Sequence, residues 1–412
     1  MIKNKNQRIR VLELFAGVGG FRLGLEKASS IFDTIYSNQW EPGRTKQWAY
    51  DCYISHFGKS ENYTNQDINK IKHDVPQHDL LVGGFPCQDY SVARTKNNAQ
   101  GIEGKKGVLW WDIKDIIVNK KPDFILLENV DRLVKSPAKQ KGRDFGIMLK
   151  TLHEAGYNAE WRIINAADYG LVQRRRRIFI FAYKTLNYGK IFNNSNIEDL
   201  LKINGFFADI FPIKDINLKK GKTMISFTNH EYKDLVEFSN SFTSQFYNSG
   251  VLVNGEILSL ELSPNIILSE PISKIIETDY VDKKYFINES IEKFRYLKSY
   301  KFVPRLNPDG EIYFYTEGNM TFPDSIDKPA RTMLTSEASI NRSTHVIEDF
   351  KTKKYRLLTP LECERINGFD DNWTNTGMPE KFRYFCMGNA LVVPLVTKMG
   401  IKIAELWSYL ND

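Results

Sequence analysis

The stretch His78-Asp-Leu-Leu-Val-Gly-Gly-Phe-Pro-Cys-Gln-Asp-Tyr-Ser91 decides how this chain is read. A short apolar run ends in two glycines, and a proline then presents Cys87. Runs of this length bounded by turn residues suit a strand buried on both faces. The thiol then stands at the mouth of that strand, on a loop within reach of a substrate. A lone cysteine is more often an inert buried side chain, so the weight of this segment depends on its neighbours.

Outward from it the same texture repeats. Short apolar runs at 11–15, 33–37, 79–82, 124–127, 160–165 and 178–183 alternate with helical patterns at 21–27, 44–57, 109–119 and 145–155. Such alternation predicts a doubly wound, Rossmann-like α/β sheet. After Tyr183 the rhythm is lost. Residues 185–350 are rich in Asn, Ser, Lys, Ile and Tyr, with strand-like pieces at Gly255-Glu-Ile-Leu-Ser-Leu and Glu311-Ile-Tyr-Phe-Tyr315. The expected organisation is a first domain over 1–184, a second, smaller domain over 185–350, a hinge over 351–387, and a segment over 388–412 returning to the first domain.

Composition narrows the class. The chain has 412 residues, long enough for two cores, and 42% hydrophobic and 13% aromatic residues fit a folded globular protein. No apolar run approaches bilayer length, and the first ten residues lack a signal-peptide core, so a cytoplasmic location is expected. The four cysteines, Cys52, Cys87, Cys363 and Cys386, form no C-x-x-C pair, which speaks against a disulfide framework and against a metal site. A net charge of +7 is compatible with a polyanionic partner.

Three further segments fix the reading. Leu14-Phe-Ala-Gly-Val-Gly-Gly-Phe21 places a glycine turn between the first strand and a helix. Asp123-Phe-Ile-Leu-Leu-Glu-Asn-Val130 ends an apolar run in an acid. Asp168-Tyr-Gly-Leu-Val-Gln-Arg-Arg-Arg-Arg177 stacks arginines ahead of another strand. Together with 78–91, and in this order, they resemble the cytosine-C5 DNA methyltransferase family of bacterial restriction–modification type. The resemblance covers roughly residues 9–183 and 355–400.

It implies S-adenosylmethionine as cofactor and no metal. Phe15 would pack on the adenine side, with Gly17, Gly19 and Gly20 around the methionine. The second strand would end in a ribose-binding acid. Here Gln39 stands at that place, followed by Trp40 and Glu41, so either Gln39 or Glu41 is expected to take the ribose. Asp67 and Ile68, Gly84 and Pro86, Leu109, and Asn389 with Ala390 match further cofactor-lining positions. The glycine turn lacks the spacing of a dinucleotide site, because position 22 is Arg.

Cytosine C5 is a poor nucleophile in an aromatic ring. The family solves this by adding a thiolate to C6, after which the enamine carbon takes the sulfonium methyl and the C5 proton and the thiol leave. Cys87 matches the nucleophile. Glu128 matches the acid at ring N3, which needs a pKa raised by burial. Asn129 is expected to hold the Pro86–Cys87 loop. Gln173, Arg175 and Arg177 match a Q-x-R-x-R pattern, with Arg177 on the base carbonyl and Arg175 on the target phosphate. None of these groups reaches a stacked base, so the cytosine must be flipped out. Residues 88–107 are expected to close over it, with Gln88 and Ser91 at the DNA.

Residues 185–350 take the place of the family's variable DNA-reading region. Arg331, Thr332, Asn341 and Arg342 are its candidate DNA contacts. The expected partner is double-stranded DNA, bound by a monomer in the nucleoid, with no membrane and no need of the restriction endonuclease it would accompany. An RNA cytosine-C5 methyltransferase and a non-catalytic DNA-binding relative are the competing readings.

Overall fold

The computed structural model describes residues 8–85, 109–193, 195–216, 221–228, 234–307 and 309–411. At its centre is a mixed sheet whose first strands are β1 (Ile9–Leu14), β2 (Phe32–Asn38), β3 (Tyr63–Thr64), β4 (Leu80–Gly84) and β5 (Phe124–Val130), all parallel. β6 (Tyr157–Asn165) and β7 (Arg176–Lys184) follow, β7 running antiparallel between β5 and β6. All six expected strands are present. The helices Gly20–Ala28, Leu109–Lys120 and Arg143–Glu154 lie where the helical patterns are, but the second begins late, at Trp48. The Gln47 amide explains the delay. It donates to the Glu41 and Arg44 carbonyls and accepts from the Glu41 N–H, which ties 41–47 into a turn.

Alternation along the strands makes the two-sided core. Val11, Val82 and Phe124 face one cluster, with Phe21 and Leu25 of the first helix. Leu12, Leu81 and Ile125 face the other, with Ile113, Ile116 and Met148 of the helices Leu109–Lys120 and Arg143–Glu154. Successive side chains of a strand point to opposite faces, so an unbroken apolar run feeds both layers.

The sheet continues past the change of texture at Tyr183. β8 (Ile213–Ile216) lies apart from it, but β9 (Lys222–Ser226), β10 (Ser249–Val253) and β11 (Glu256–Leu260) extend it. The full order is β3-β2-β1-β4-β5-β7-β6-β10-β11-β9. The strand pairing thus puts the limit of the sheet near residue 260, later than the composition suggests. β12 (Leu262–Pro264) then pairs with β8. Beyond it the chain builds a small core of Ile287, Phe294 and Val346 around the helix Ile291–Lys298, and a two-stranded ribbon of β13 (Lys301–Leu306) and β14 (Ile312–Glu317). β15 (Val346–Glu348) pairs with β16 (Tyr355–Leu357).

The return to the sheet starts at the helix Pro360–Asn367. Thr359 caps it and Glu362 answers with its own side chain, with Pro360 at the first position. That reciprocal cap follows the sequence pattern. The helix Val393–Asn411 closes the molecule against Gly20–Ala28. A side chain at Gly24 would meet Val396 at 2.7 Å, and one at Gly400 would meet Ala28 at 2.7 Å. The missing side chains are what let these two helices approach.

Candidate active site

Three strand ends, β1, β2 and β4, open into one cavity of about 920 Å³, and β5 adds its acid from the side. The floor begins at Phe15, which leaves β1 with φ 54°, a left-handed conformation unusual for a residue with a side chain. Gly17 follows at φ 58°, and a side chain there would meet nothing within 4 Å. The turn is held by three bonds from outside it. The Ala16 N–H donates to the Asn38 carbonyl (3.0 Å), the Gly17 N–H to Gln39 Oε1 (2.7 Å), and Trp373 Nε1 to the Val18 carbonyl (2.8 Å).

Of the expected cofactor residues, Phe15, Gly17, Gly20, Gln39, Trp40, Glu41, Asp67, Ile68, Gly84, Leu109, Asn389 and Ala390 line this cavity. Trp40 leaves 39% of its surface open. Gly19 does not line it. A side chain there would run into Phe57 at 2.4 Å, so this glycine serves the packing of the helix Trp48–Phe57. Gln39 is already an acceptor for Gly17, and Glu41 Oε2 accepts the Ala49 N–H at 3.3 Å. Pro86, Cys87, Gln88, Ser91 and the loop 88–107 lie outside the described residues.

The same cavity is lined by Glu128, Asn129 and Arg177. Register explains the meeting. Gly84, the last residue of β4, pairs with Glu128 on β5, and a side chain at Gly84 would touch the Glu128 carboxylate at 3.2 Å. Glycine there leaves room for the acid. Asn129 donates to the Phe85 carbonyl at 2.9 Å, which fixes the backbone one residue before Pro86. Arg177 Nε stands 2.8 Å from Glu128 Oε1. Burial raises the Glu128 pKa from its ordinary value, and the charges of Arg177 and Arg175 oppose it without reversing it. The result is a buried acid held in a fixed direction, able to share a proton with a ring nitrogen.

Arg175 departs from expectation. It shares the Glu128 side of the chain with Arg177, as alternation predicts, but it is 1% exposed. Its Nη1 donates to the Met333 carbonyl (3.1 Å) and its Nη2 to the Gly388 carbonyl (3.0 Å). Burial, followed by the charge of Arg177, brings its pKa down to about 9. A group so enclosed is a strut between three segments of the chain, and a phosphate contact is not open to it here. Arg176, by contrast, is exposed and paired with Asp131.

The four candidate DNA contacts are likewise engaged within the protein. Arg331 binds Asp324 through Nε (2.8 Å) and the Ser343 carbonyl through Nη1 (2.8 Å). Thr332 donates to the Arg174 carbonyl at 2.6 Å. Asn341 accepts from the Ser343 and Thr344 N–H groups, closing a turn. Arg342 donates to the carbonyls of Leu297, Ser299 and Gly318 and to Glu317. Arginine at a fold's internal joints satisfies several carbonyls at once, which lysine cannot do in a plane.

Two residues escaped the sequence reading. Glu13 is fully buried in β1, where it accepts from Tyr53 Oη (2.9 Å) and the Arg22 N–H (3.3 Å), and burial lifts its pKa to about 7. An acid inside a strand buried on both faces was the available signal. Trp373 stacks on His56 at 3.6 Å and reaches the glycine turn. No spacing in the sequence brings it there.

With this geometry in hand, comparisons with known proteins agree. The family model of the C-5 cytosine-specific DNA methylases matches residues 9–405. The chain is 52% identical to the type II methyltransferase M.Sau3AI of Staphylococcus aureus, over 98% of each chain. It is 26% identical to M.Bsp6I of Bacillus sp. (strain RFL6), over 96% of this chain and 98% of that one. In fold it is similar to the Dnmt2 methyltransferase of S. pombe, with TM-score 0.58 at 16% identity, over 98% of this chain and all of that one. Among the described residues no single helix is long and apolar enough to cross a bilayer.

Proposed function

The chain belongs to the C-5 cytosine-specific DNA methylase family and is a DNA cytosine-C5 methyltransferase of the type II restriction–modification class; from that premise we propose how its residues divide the work. The observation that carries the proposal is the single cavity shared by the glycine turn and the Glu128–Arg177 pair. A cofactor floor and an acid for a base ring in one enclosure would serve methyl transfer, and Phe85, which lines that enclosure, lies two residues before Cys87 in the sequence.

The cavity fits S-adenosylmethionine. Gly17 leaves open space above the turn, Trp40 offers an aromatic face, and Asp67 offers a carboxylate to an amine. Phe15, Trp40, Asp67, Ile68 and Leu109 would hold the nucleoside, and Gly17, Gly20, Asn389 and Ala390 the amino-acid end. When bound, this cofactor supplies an electrophilic methyl group. The chain's own residues prepare the base to receive it. Cys87 as thiolate adds to C6 of a cytosine turned out of the duplex. Glu128 shares its proton at N3, where electron density accumulates; Arg177 holds the Glu128 carboxyl through Nε and donates from Nη1 to the Arg176 carbonyl, and its Nη2 would meet the base carbonyl. Asn129 fixes the Phe85 carbonyl and so the approach of Cys87. Loss of the C5 proton to solvent lets the C–H electron pair expel Cys87 as thiolate, N3 returns its proton to Glu128, and the aromatic ring is restored.

Double-stranded DNA is the proposed substrate, the cytoplasm the proposed location, and the restriction endonuclease is not required for methyl transfer. Tritiated S-adenosylmethionine offered with plasmid duplex and, separately, with transfer RNA tests the reading. Label in the duplex that survives at cytosine C5 supports it. Label confined to transfer RNA, or a Cys87→Ser enzyme that transfers methyl normally, overturns it.

A further inference from the structure

The turn 41–47, between β2 and the helix Trp48–Phe57, walls one side of the cavity with Glu41, Pro42 and Arg44. Gly43 bends it at φ 75°. The Arg44 N–H donates to the Glu41 carbonyl (3.3 Å), and the Arg44 carbonyl accepts from Gln47 (2.8 Å). The backbone of Arg44 is thus fixed on both sides. Its side chain reaches across to the helix Glu380–Asn389, where the guanidinium carbon lies 4.7 Å from the centre of the Phe382 ring and 5.4 Å from that of Phe385. Phe385 itself lines the cavity, one helical turn ahead of Asn389 and Ala390. Arg44 therefore joins two walls that come from opposite ends of the chain.

We propose that Arg44 binds the α-carboxylate of S-adenosylmethionine, a statement that rests on the function proposed above and adds a specificity residue to it. Charge carries the argument. Among the described residues two cations line the cavity, Arg44 and Arg177. Arg177 is held by Glu128 at 2.8 Å. Arg44 has a looser partner, Glu41, whose Oε1 stands 3.6 Å from Nε, and its own side chain is 47% exposed. A long, half-exposed ion pair is weak, so this guanidinium is free to take a second anion.

Its setting suits a carboxylate. An arginine lying over aromatic rings keeps the edge of its plane available, and that edge meets a carboxylate through two parallel hydrogen bonds. The glycine turn has less to offer an anion. Its Ala16, Gly17 and Gly19 N–H groups are engaged by the Asn38 carbonyl, Gln39 and the Ala16 carbonyl, and the Arg22 N–H in the helix that follows by Glu13. That reduces what the helix end can give to a negative group. Position agrees with charge: Cys386, which lines the cavity just ahead of Asn389, lies within the field of both Glu41 and Arg44. Arg44 would thus select a cofactor that carries a whole amino acid over a bare nucleoside.

The test is calorimetry on the full-length protein with two probes. One is S-adenosylhomocysteine, and the other is its thiopropylamine analogue, which lacks only the carboxylate. The wild type is expected to bind the analogue at least about tenfold more weakly, the size of one charged hydrogen-bonded contact. In Arg44→Gln, S-adenosylhomocysteine should weaken by a similar factor while the analogue binds as it does to the wild type. Arg44→Lys, which keeps the charge, should recover part of the loss. Both probes weakened alike in Arg44→Gln would mean that Arg44 only shapes the turn, and would overturn the proposal. Unchanged binding of S-adenosylhomocysteine in that variant would overturn it as well. If the wild type binds neither probe, the cofactor reading above fails, and this assignment falls with it.

Discussion

The cavity at the ends of β1, β2 and β4 and the ribbon β13–β14 are built in opposite ways. The cavity is concave and backbone-made. Its working residues sit where a strand stops, so each is placed by strand register, and Gly84 opposite Glu128 shows how one missing side chain makes room for one acid. The ribbon is convex and side-chain-made, and its position depends on a clamp of arginines far behind its tip. A buried, pre-shaped pocket tolerates little change, whereas a projecting ribbon can change its surface without disturbing the core. Chemistry common to a family belongs in the first kind of place, and discrimination between substrates in the second.

The largest effect should come from the cavity side. Cys87→Ser is expected to lower kcat at least about a thousandfold, because only a soft thiolate adds to C6. Cys52, Cys363 and Cys386 are buried, with thiol pKa values raised by that burial, and their Ala variants should retain turnover. Trapping wild-type enzyme on duplex containing 5-fluorocytosine and mapping the adduct checks both statements. An adduct on another cysteine would overturn Cys87 as the nucleophile.

Arg175 tests where the border between the two regions runs. As an internal strut, its replacement by Met strips the donors from the Met333 and Gly388 carbonyls and should cost about 3 kcal/mol of stability. The salt dependence of DNA binding should keep its slope. A contact to phosphate would do the reverse, leaving stability intact and reducing the slope by about one. Urea unfolding together with binding at several salt concentrations separates the two outcomes.

Glu13 gives the cavity floor its own pH signature. Its pKa in the fold is about 7 against an ordinary 4.5, so between those values the unfolded chain is ionised while the folded chain keeps the proton. The unfolded state then binds fewer protons, and stability falls as pH rises through this window. The loss has an upper bound of about 3 kcal/mol, complete above pH 7. The difference in unfolding free energy between wild type and Glu13→Gln should therefore shift against the wild type from pH 4.5 to 7.5. A flat difference would mean that Glu13 is ionised throughout, and that the turn above it rests on a charge.

The smallest effect concerns Gln39. Removing its amide in Gln39→Ala frees the Gly17 N–H in a cavity that water enters, and S-adenosylhomocysteine should bind about 1–2 kcal/mol more weakly by calorimetry. If the Gln39 variant binds normally and Glu41→Ala alone is weakened, the ribose belongs to Glu41.

These contrasts also explain what the sequence disclosed. The six strands, the glycine turn and Glu128 were legible because strands buried on both faces must be apolar, and each glycine or acid that interrupts them needs a local reason. The reciprocal cap at Thr359 and Glu362 is local in the same sense, made within four residues. The partners that Arg175, Arg331 and Arg342 hold within the chain were not legible, because an arginine bound to its own fold and one free at the surface look identical in sequence. Their acceptors are carbonyls 12 to 213 residues away, or supplied by elements with no signature of their own. β11 was read as a strand-like piece, but its place in the large sheet depends on β10 pairing with β6 some ninety residues earlier, which neither strand announces. The edge strand β9 is half open to water, so its composition resembles that of a loop.

The contact of Gly24 with Val396 and of Gly400 with Ala28 bears on how the molecule is made as well as on how it stands. On the ribosome the helix Gly20–Ala28 emerges hundreds of residues ahead of the helix that covers it. Until Val393–Asn411 arrives, Phe21 and Leu25 have no partner on that side, and Asn389 and Ala390 have not reached the cavity. The first half of the sheet therefore waits for the last helix of the chain before its outer face is covered. A chain interrupted before residue 389 lacks two residues of the cavity wall.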